Sequence, residues 1–407
     1  MPFRLEQATG VRDHHVVQVL RLLWQRDLPR VELARQLGLA RSSMSDIVQG
    51  LLQAGLVSEG APFETASTGR KSTRLTLQPR AAYLLAADVG ARHLRVALLD
   101  LRCQPVAEQE VPLDIRQGPR VTYRTLAGLV EGVLEQADVR PAQVALMGVG
   151  LPAPVDPVSG QVAGTPLMRG WGGEDVPGTL RALFGVPVLI ENDANLGALA
   201  EWYFGAHHAN DDLVYLKVGA GVGAGLILGG RPHRGVHGGA GEVWPLLFED
   251  LRVPAPAGSG PTGLLPAVLG EVLARVPSTR LTPGSGMEDV VGLLHEDAAA
   301  REVVQVLGDL LGRLTASLLH LLNPSVVVIG GQVASAGAPL LEALCRSVAG
   351  RVTPLGGRDV QFRLSTHGPE AGVLGIGALL LERLLSPGGL ERLYAVTRLH
   401  PTPSVSR

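Results

Sequence analysis

The chain has 407 residues, two cysteines (Cys103 and Cys345) and a formal net charge of −2, which excludes a single ordinary core, a disulfide framework and a four-cysteine zinc site and predicts two or three domains. No secretory signal or apolar run of membrane-spanning length is visible, so no membrane partner is expected and the expected location is the cytoplasm. Charge is unevenly placed: residues 1–80 hold 11 Lys/Arg against 7 Asp/Glu, and the rest of the chain holds 25 against 31, a basic head on an acidic body that suits a small nucleic-acid-binding module joined to a larger non-binding one.

Residues 13–26 read as a helix, with Val16, Val19, Leu20 and Leu23 at helical spacing. A second short helix is predicted over 29–37, with Pro29 in its first turn, and Gly38 breaks it. A third is predicted over about 40–54, with Met44, Ile47, Val48, Leu51 and Leu52 on one face and Gly55 as its stop. Two helices joined by a short Gly-containing turn form the helix-turn-helix pattern. The apolar stripe of the third helix starts only at Met44, so Arg41, Ser42, Ser43 and Ser45 project from its N-terminal end, where this motif reaches base edges and phosphates of double-stranded DNA. Serines at a helix start are also common in a merely solvated turn. A strand begins at Leu56-Val57-Ser58, and Arg74–Leu77 alternates like its return partner. Between them lies Thr68-Gly69-Arg70-Lys71-Ser72, a basic turn in the position of a DNA-binding wing, where Gly69, Arg70 and Lys71 can meet phosphates or a narrow minor groove. The first domain is therefore placed at 1–80.

From Leu84 the pattern becomes α/β. Strands are predicted over 84–89, 94–99, 144–149, 186–190, 213–218, 224–228 and 325–329. Helices are predicted over 121–137, from Asn195 to about Phe204, over 301–322 and, as the last long helix, over 370–385. Acids stand at strand ends (Asp88, Asp193), where an open α/β sheet places groups that act on a ligand. Gly-rich loops start at Gly219 and Gly330, where backbone can approach a ligand closely, although tight turns need glycine regardless. The tail 399–407, with Pro401 and Pro403, is expected to be disordered.

Taken in order, Asp88-Val89-Gly90, Gly148-x-Gly-x-Pro-x-Pro-Val-Asp156, Glu191-Asn-Asp-Ala-Asn195, Val218-Gly-x-Gly-Val-Gly-Ala-Gly225, Gly239-Ala-Gly-Glu242 and Asn323-Pro-x-x-Val-Val-x-Gly-Gly331 resemble the ROK family (repressors, open reading frames, kinases). The resemblance covers residues 84 to 385, and the winged head matches the family's repressor branch. It implies an α/β fold in which an N-terminal winged helix-turn-helix precedes a two-lobed actin/hexokinase-like (ribonuclease H-like) domain at 81–398, its lobes lying at about 81–191 plus the C-terminal helix and about 192–370. In the family's kinases the Asp of Asn-Asp is the general base that takes the sugar hydroxyl proton. The resemblance carries that role to Asp193, sugar contacts to Asn192, Asp193 and Glu242, and the nucleotide side to Asp88, Gly90, Gly219, Gly221, Asn323, Gly330 and Gly331.

The departures matter as much. Family kinases read Asp-Ile-Gly-Gly-Thr-Lys where this chain reads Asp88-Val-Gly-Ala-Arg-His93, and Gly-Thr-Gly where it reads Gly219-Ala-Gly221, so both phosphate-binding hydroxyls and the lysine are missing. Arg92 could hold an anion or fill the nucleotide site. Pro245 stands where the family's zinc-site His is found, and residues 254–266 hold no cysteine. In the head, Ala40 takes the usual Ser N-cap position, and Asp46 occupies a face that is often basic. The departures imply a non-enzyme with Asp193 as a vestigial base, no metal and no cofactor. The expected partners are DNA, a sugar or sugar-phosphate effector and a second copy of the chain in a homodimer or homotetramer. The leading reading is a sugar-related transcriptional regulator, a repressor; a working sugar kinase with a DNA-binding head and a regulator without a ligand remain as alternatives.

Overall fold

The structure is a computed structural model that describes residues 10–64, 71–165, 167–205, 212–219, 221–248 and 263–399. The head comprises α1 (Val11–Gln25), β1 (Leu28–Pro29), α2 (Arg30–Leu37), α3 (Arg41–Gln53), β2 (Val57–Glu64) and β3 (Lys71–Leu77). Gly38 ends α2 in the left-handed region at φ 64°, its N–H bonded back to the carbonyls of Ala34 and Arg35, a geometry that favours glycine. The chain then turns into α3, whose N-cap is Ala40 without a side-chain cap. Met44, Ile47, Val48 and Leu51 of α3 are buried, as are Val19, Leu20 and Leu23 of α1. The three strands form one sheet in the order β1-β3-β2, with Leu28 opposite Leu75 and Val57 opposite Leu77. The two-residue β1 has no periodicity to reveal it in the sequence, and Pro29 belongs to it, serving as the N-cap of α2 rather than as a first-turn residue.

The body holds two five-stranded sheets of like topology. β4 (Tyr83–Val89), β5 (His93–Leu99) and β6 (Pro105–Pro112) form an antiparallel meander. α4 (Pro119–Ala137) leads to β7 (Val144–Leu151), and α5 (Val176–Phe184) leads to β8 (Val188–Asn192). The order is β6-β5-β4-β7-β8, parallel across β4, β7 and β8. α6 (Asp193–Phe204) follows. The second sheet takes β9 (Leu213–Val218), β10 (Val222–Leu228) and β11 (Arg231–Pro232). After α7 (Pro245–Phe248), α8 (Leu264–Arg275), α9 (Met287–Leu293) and α10 (Ala298–Leu322) it takes β12 (Val326–Gly331) and, beyond α11 (Ala338–Ala349), β13 (Gln361–Leu364). Its order, β11-β10-β9-β12-β13, repeats the first: antiparallel hairpins on one side, parallel strands on the other. Buried strands with apolar residues on both faces explain the continuous runs such as Leu213–Val218 and Val326–Gly331.

α12 (Ala371–Leu384) packs against β4, β7 and α6. It is the helix predicted over 370–385, but it is not the last long helix of the chain. Past Ser386, Pro387 starts α13 (Pro387–Leu399) at an angle of 98° to the preceding segment. Leu390, Leu393 and Val396 of α13 are buried, and Arg392 donates to the carbonyls of Val144 (3.1 Å) and Ala145 (2.9 Å). The helix lies between α1 and the first body sheet, where one apolar stripe serves both. Residues 400–407 of the expected tail lie outside the described residues. Among the described residues no single helix is long and apolar enough to cross a membrane.

Candidate nucleic-acid interface and ligand cleft

The two places singled out in the sequence lie one in the head and one in the body. In α3, Arg41, Ser42, Ser43, Ser45 and Asp46 are all exposed around the buried Met44. The Ser45 hydroxyl donates to the Arg41 carbonyl at 2.9 Å, the back-bond that serines make inside a helical turn. Of the wing turn, Gly69 and Arg70 lie outside the described residues, and Lys71 is the first residue of β3, facing Glu64 in the hairpin register.

The cleft is assembled at the start of α6. Asn192 is the N-cap: its side-chain oxygen accepts from the N–H groups of Ala194 (2.9 Å) and Asn195 (3.2 Å), and its Nδ2 donates to the Ala153 carbonyl at 3.1 Å. This satisfies donors that a helix start leaves open and fixes the direction of Asp193, the first residue of the helix. Asp193 is not free. Lys217 of β9 donates to its Oδ2 at 2.8 Å. Lys217 lies opposite Gly223 on β10 and Gly330 on β12, so glycines flank it on both sides and leave its side chain room to reach α6. Burial alone would depress the Lys217 ammonium, but Asp193 and then Asp88 reverse this and hold its pKa above the ordinary value.

Asp88, at the end of β4, is buried, and its Oδ2 lies 3.4 Å from Nε2 of His93. Burial opposes its ionisation, yet His93 and Lys217 hold its carboxyl below the usual range. Its Oδ1 is buried without a hydrogen-bond partner. Gly90 is the residue that admits this arrangement, since a Cβ there would lie 2.1 Å from the His93 ring. Glu191, buried, accepts from Asn192 N–H and Asn195 Nδ2 (2.9 Å each) through Oε1 and from Arg234 Nε at 2.5 Å through Oε2. Arg234 belongs to the segment after β11, so this pair joins the two body sheets. The same segment meets the loop after β7 where Gly238 lies against Val155: a Cβ at Gly238 would be 1.9 Å from the Val155 carbonyl oxygen. Glu242 is exposed on one side, but the protein around it and then the Asp193 charge push its carboxyl up.

The other expected residues fall into two groups. Gly219, whose N–H bonds the Gly221 carbonyl at 2.9 Å, and Gly330, where a Cβ would lie 2.0 Å from the Tyr215 hydroxyl, adjoin Lys217. Gly331 is left-handed at φ 80° against Val218. Asn323 has a helix-ending task, capping α10 in the left-handed region at φ 46°. Arg92 is exposed and its charge acts on Asp114, which places it on the outer side of the β5 hairpin. Sequence reasoning missed Lys217 and Arg234. The signal was present for Lys217, one of only two lysines in a chain that otherwise uses arginine.

A further group lies where the head meets the body. Trp24 of α1 stacks edge-on against Tyr203 (centroids 6.0 Å apart) and Phe204 (6.2 Å) at the end of α6, and its Nε1 donates to the Leu101 carbonyl at 3.0 Å. Arg102 returns a bond to the Trp24 carbonyl at 3.1 Å and pairs with Asp27 at 3.2 Å.

The chain is 26% identical to the xylose repressor of Bacillus spizizenii over 366 residues, 89% of this chain and 94% of that protein. It is 27% identical to the glucokinase of Halalkalibacterium halodurans over 320 residues, 74% of this chain and 96% of that protein. The crystal structure of a ROK family transcriptional regulator, a homolog of the E. coli MLC protein, superposes with a TM-score of 0.79 at 22% identity, covering 94% of this chain and 99% of its own, which establishes the two-lobed fold with its N-terminal head. The model of the ROK family matches residues 84–383, and the chain belongs to that family.

Proposed function

We propose that this chain is a DNA-binding transcriptional repressor whose ROK domain receives a sugar and does not transfer phosphate. The observation that carries this reading is the extent of the likeness. The xylose repressor is matched over 89% of this chain, more than the body alone can supply, whereas the glucokinase is matched over 74% of it, a length the body can supply without the head. The exposed N-terminal end of α3, with Arg41, Ser42, Ser43 and Ser45, supports contact with base edges in a major groove, and Gly69, Arg70 and Lys71 are the proposed wing. Asn192, Asp193 and Glu242 are the proposed contacts to sugar hydroxyls, since carboxylates and amides satisfy them in pairs.

The residues of the cleft do not fit a magnesium nucleotide. A general base must be free to take a proton, and Asp193 is held by a lysine ammonium at 2.8 Å. The loop at Asp88 has Arg92 where the family's kinases carry the phosphate-binding hydroxyl, and His93, which lies against Asp88, where they carry the lysine. On this reading two heads of a homodimer address two half-sites one or more helical turns apart, and sugar binding changes how they are presented.

The test is selection of bound fragments from the source genome, followed by titration of the selected operator with and without D-xylose or D-glucose at fixed salt. One sugar is expected to change the dissociation constant at least fivefold, and no ADP is expected to form from ATP with either sugar. Turnover that disappears in Asp193→Asn would replace this reading with that of a kinase. Operator binding without any calorimetric response to the sugars would leave a repressor that takes neither of them.

A further inference from the structure

Two parallel helices join the cleft to the head. α6 starts at Asp193 and ends at Phe204, 12 residues that span about 18 Å at the helical rise. α12 starts beside the other cleft carboxylate: a Cβ at Gly372 would lie 2.2 Å from Oδ2 of Asp88. The helices touch without clearance near their starts, where a Cβ at Gly375 would be 2.0 Å from the Leu196 carbonyl oxygen. They are bridged near their ends, where the Tyr203 hydroxyl donates to Glu382 Oε1 at 2.6 Å. α6 is equally confined by the second sheet, with Gly225 against the Ala194 carbonyl and Gly197 against Tyr215, each at 2.1 Å for an added Cβ.

Both helices deliver their far ends to α1 of the head. Tyr203 and Phe204 of α6 receive Trp24. Just past α12, the Leu385 carbonyl accepts from Arg21 Nε at 3.0 Å and from a second guanidinium nitrogen at 2.7 Å. At the near ends, Lys217 bonds Asp193 and acts on Asp88. Lys217 therefore bonds the start of α6, the Asp88 carboxylate packs against Gly372 at the start of α12, and a hydroxyl–carboxylate bond ties the two helix ends. Close-packed backbone contacts have little room for gradual deformation, so a displacement at one end moves the pair as a unit.

We infer that α6 and α12 act as a rigid strut that reports the state of the cleft to the head, with Trp24 and Arg21 as the contacts through which α1 is moved. The inference rests on the repressor reading for its biological use, but its physics is independent of which sugar binds. A ligand that competes with Lys217 for Asp193 loosens the tie at the cleft end. The strut then shifts against α1, and α1 carries the core on which α3 is packed.

The test is a double-mutant cycle on operator affinity in the full-length protein. Lys217→Met cuts the tie at the cleft and is expected to change the operator dissociation constant at least fivefold. In the Trp24→Leu and Tyr203→Phe backgrounds the same substitution is expected to change it less than twofold, since distant sites add unless something couples them. An unchanged dissociation constant in Lys217→Met, or the same factor in all three backgrounds, overturns the inference. Amide hydrogen exchange gives a reading without DNA. Exchange across residues 11–25 is expected to quicken at least threefold more in Lys217→Met than in Val272→Ala, a core substitution on α8, with the two variants compared at equal unfolding free energy. Wild-type rates across 11–25 in Lys217→Met also overturn it. Failure of the wild type to retain any genomic fragment would defeat the repressor reading, and the exchange measurement would still decide the strut.

Discussion

The N-terminal end of α3 and the cleft at the N-terminal end of α6 are both built from polar residues at a helix start, and they are left in opposite states. Around α3, Arg41, Ser42, Ser43 and Asp46 are exposed, and the Ser45 hydroxyl bonds its own turn, a local contact. Around α6, the two carboxylates that flank Asn192 are already paired within the protein, Asp193 with Lys217 and Glu191 with Arg234. A surface of the first kind can meet a partner with no prior rearrangement. A site of the second kind can take a polar ligand only by exchanging internal partners for external ones. Binding there perturbs the fold that surrounds it, which is what a sensor requires and a docking surface does not.

The largest effect that separates the two states is expected from Lys217→Met. Removing one partner of a largely buried pair leaves the Asp193 carboxylate uncompensated, and a loss of roughly 3 kcal/mol of unfolding free energy is expected. Urea denaturation reads it, and a loss below about 1 kcal/mol would mean that the pair is held in solvent rather than in the fold. Next comes Arg41→Ala, expected to leave stability within about 0.5 kcal/mol of wild type while weakening the selected operator by about 1–3 kcal/mol, tenfold or more. Fluorescence anisotropy with labelled operator checks it, and a stability loss comparable to that of Lys217→Met would erase the contrast. The smallest effect is a pH dependence at the far end of the strut. Burial, only partly offset by the Tyr203 bond and the charges of Arg234 and Arg21, keeps the Glu382 carboxyl above its ordinary 4.5. Its contribution is thus fully present below about that pH and is lost as pH rises through the raised folded value. Glu382→Gln keeps an acceptor for Tyr203 and cannot ionise. It should therefore gain on wild type between pH 4 and pH 7, by less than about 1 kcal/mol. An equal difference at both pH values would show that ionisation of Glu382 plays no part.

Much of this was legible in the sequence for a plain reason: local pattern and local function coincide in it. The stripe Met44–Leu51 and the break at Gly38 mark α3, and the run Glu191–Asn195 marks the candidate cleft, because strand end, N-cap and candidate acid fall within five residues. Short elements such as β1 and β11 escaped because a two-residue strand has no period. α13 escaped because Ser386-Pro387 reads as an ending, whereas Pro387 also suits a new helix start. Lys217 stands out in the sequence as one of two lysines, but its pairing with Asp193 was not legible. Lys217 lies 24 residues away on another element, and only the parallel register of β9 with β12, together with the glycines beside it, aims its side chain at α6. The fold class followed from motif order, while the electrostatic state of the cleft followed from tertiary pairing.

The apolar cluster that begins at Val16, Leu20 and Leu23 in the head continues without interruption through Leu77, Ala81 and Leu84 to Leu381, Leu384 and Leu393. For folding, this means that the head is less a passenger than a storey of the same building. Heat or denaturant is expected to melt it together with the first body sheet in one transition. A fragment cut near residue 80 would carry away half of an interior surface with nothing to cover it. Grafting a new operator specificity onto this body would therefore call for residues changed on α3 in place, or for a foreign head transplanted along with the α13 surface that fits it.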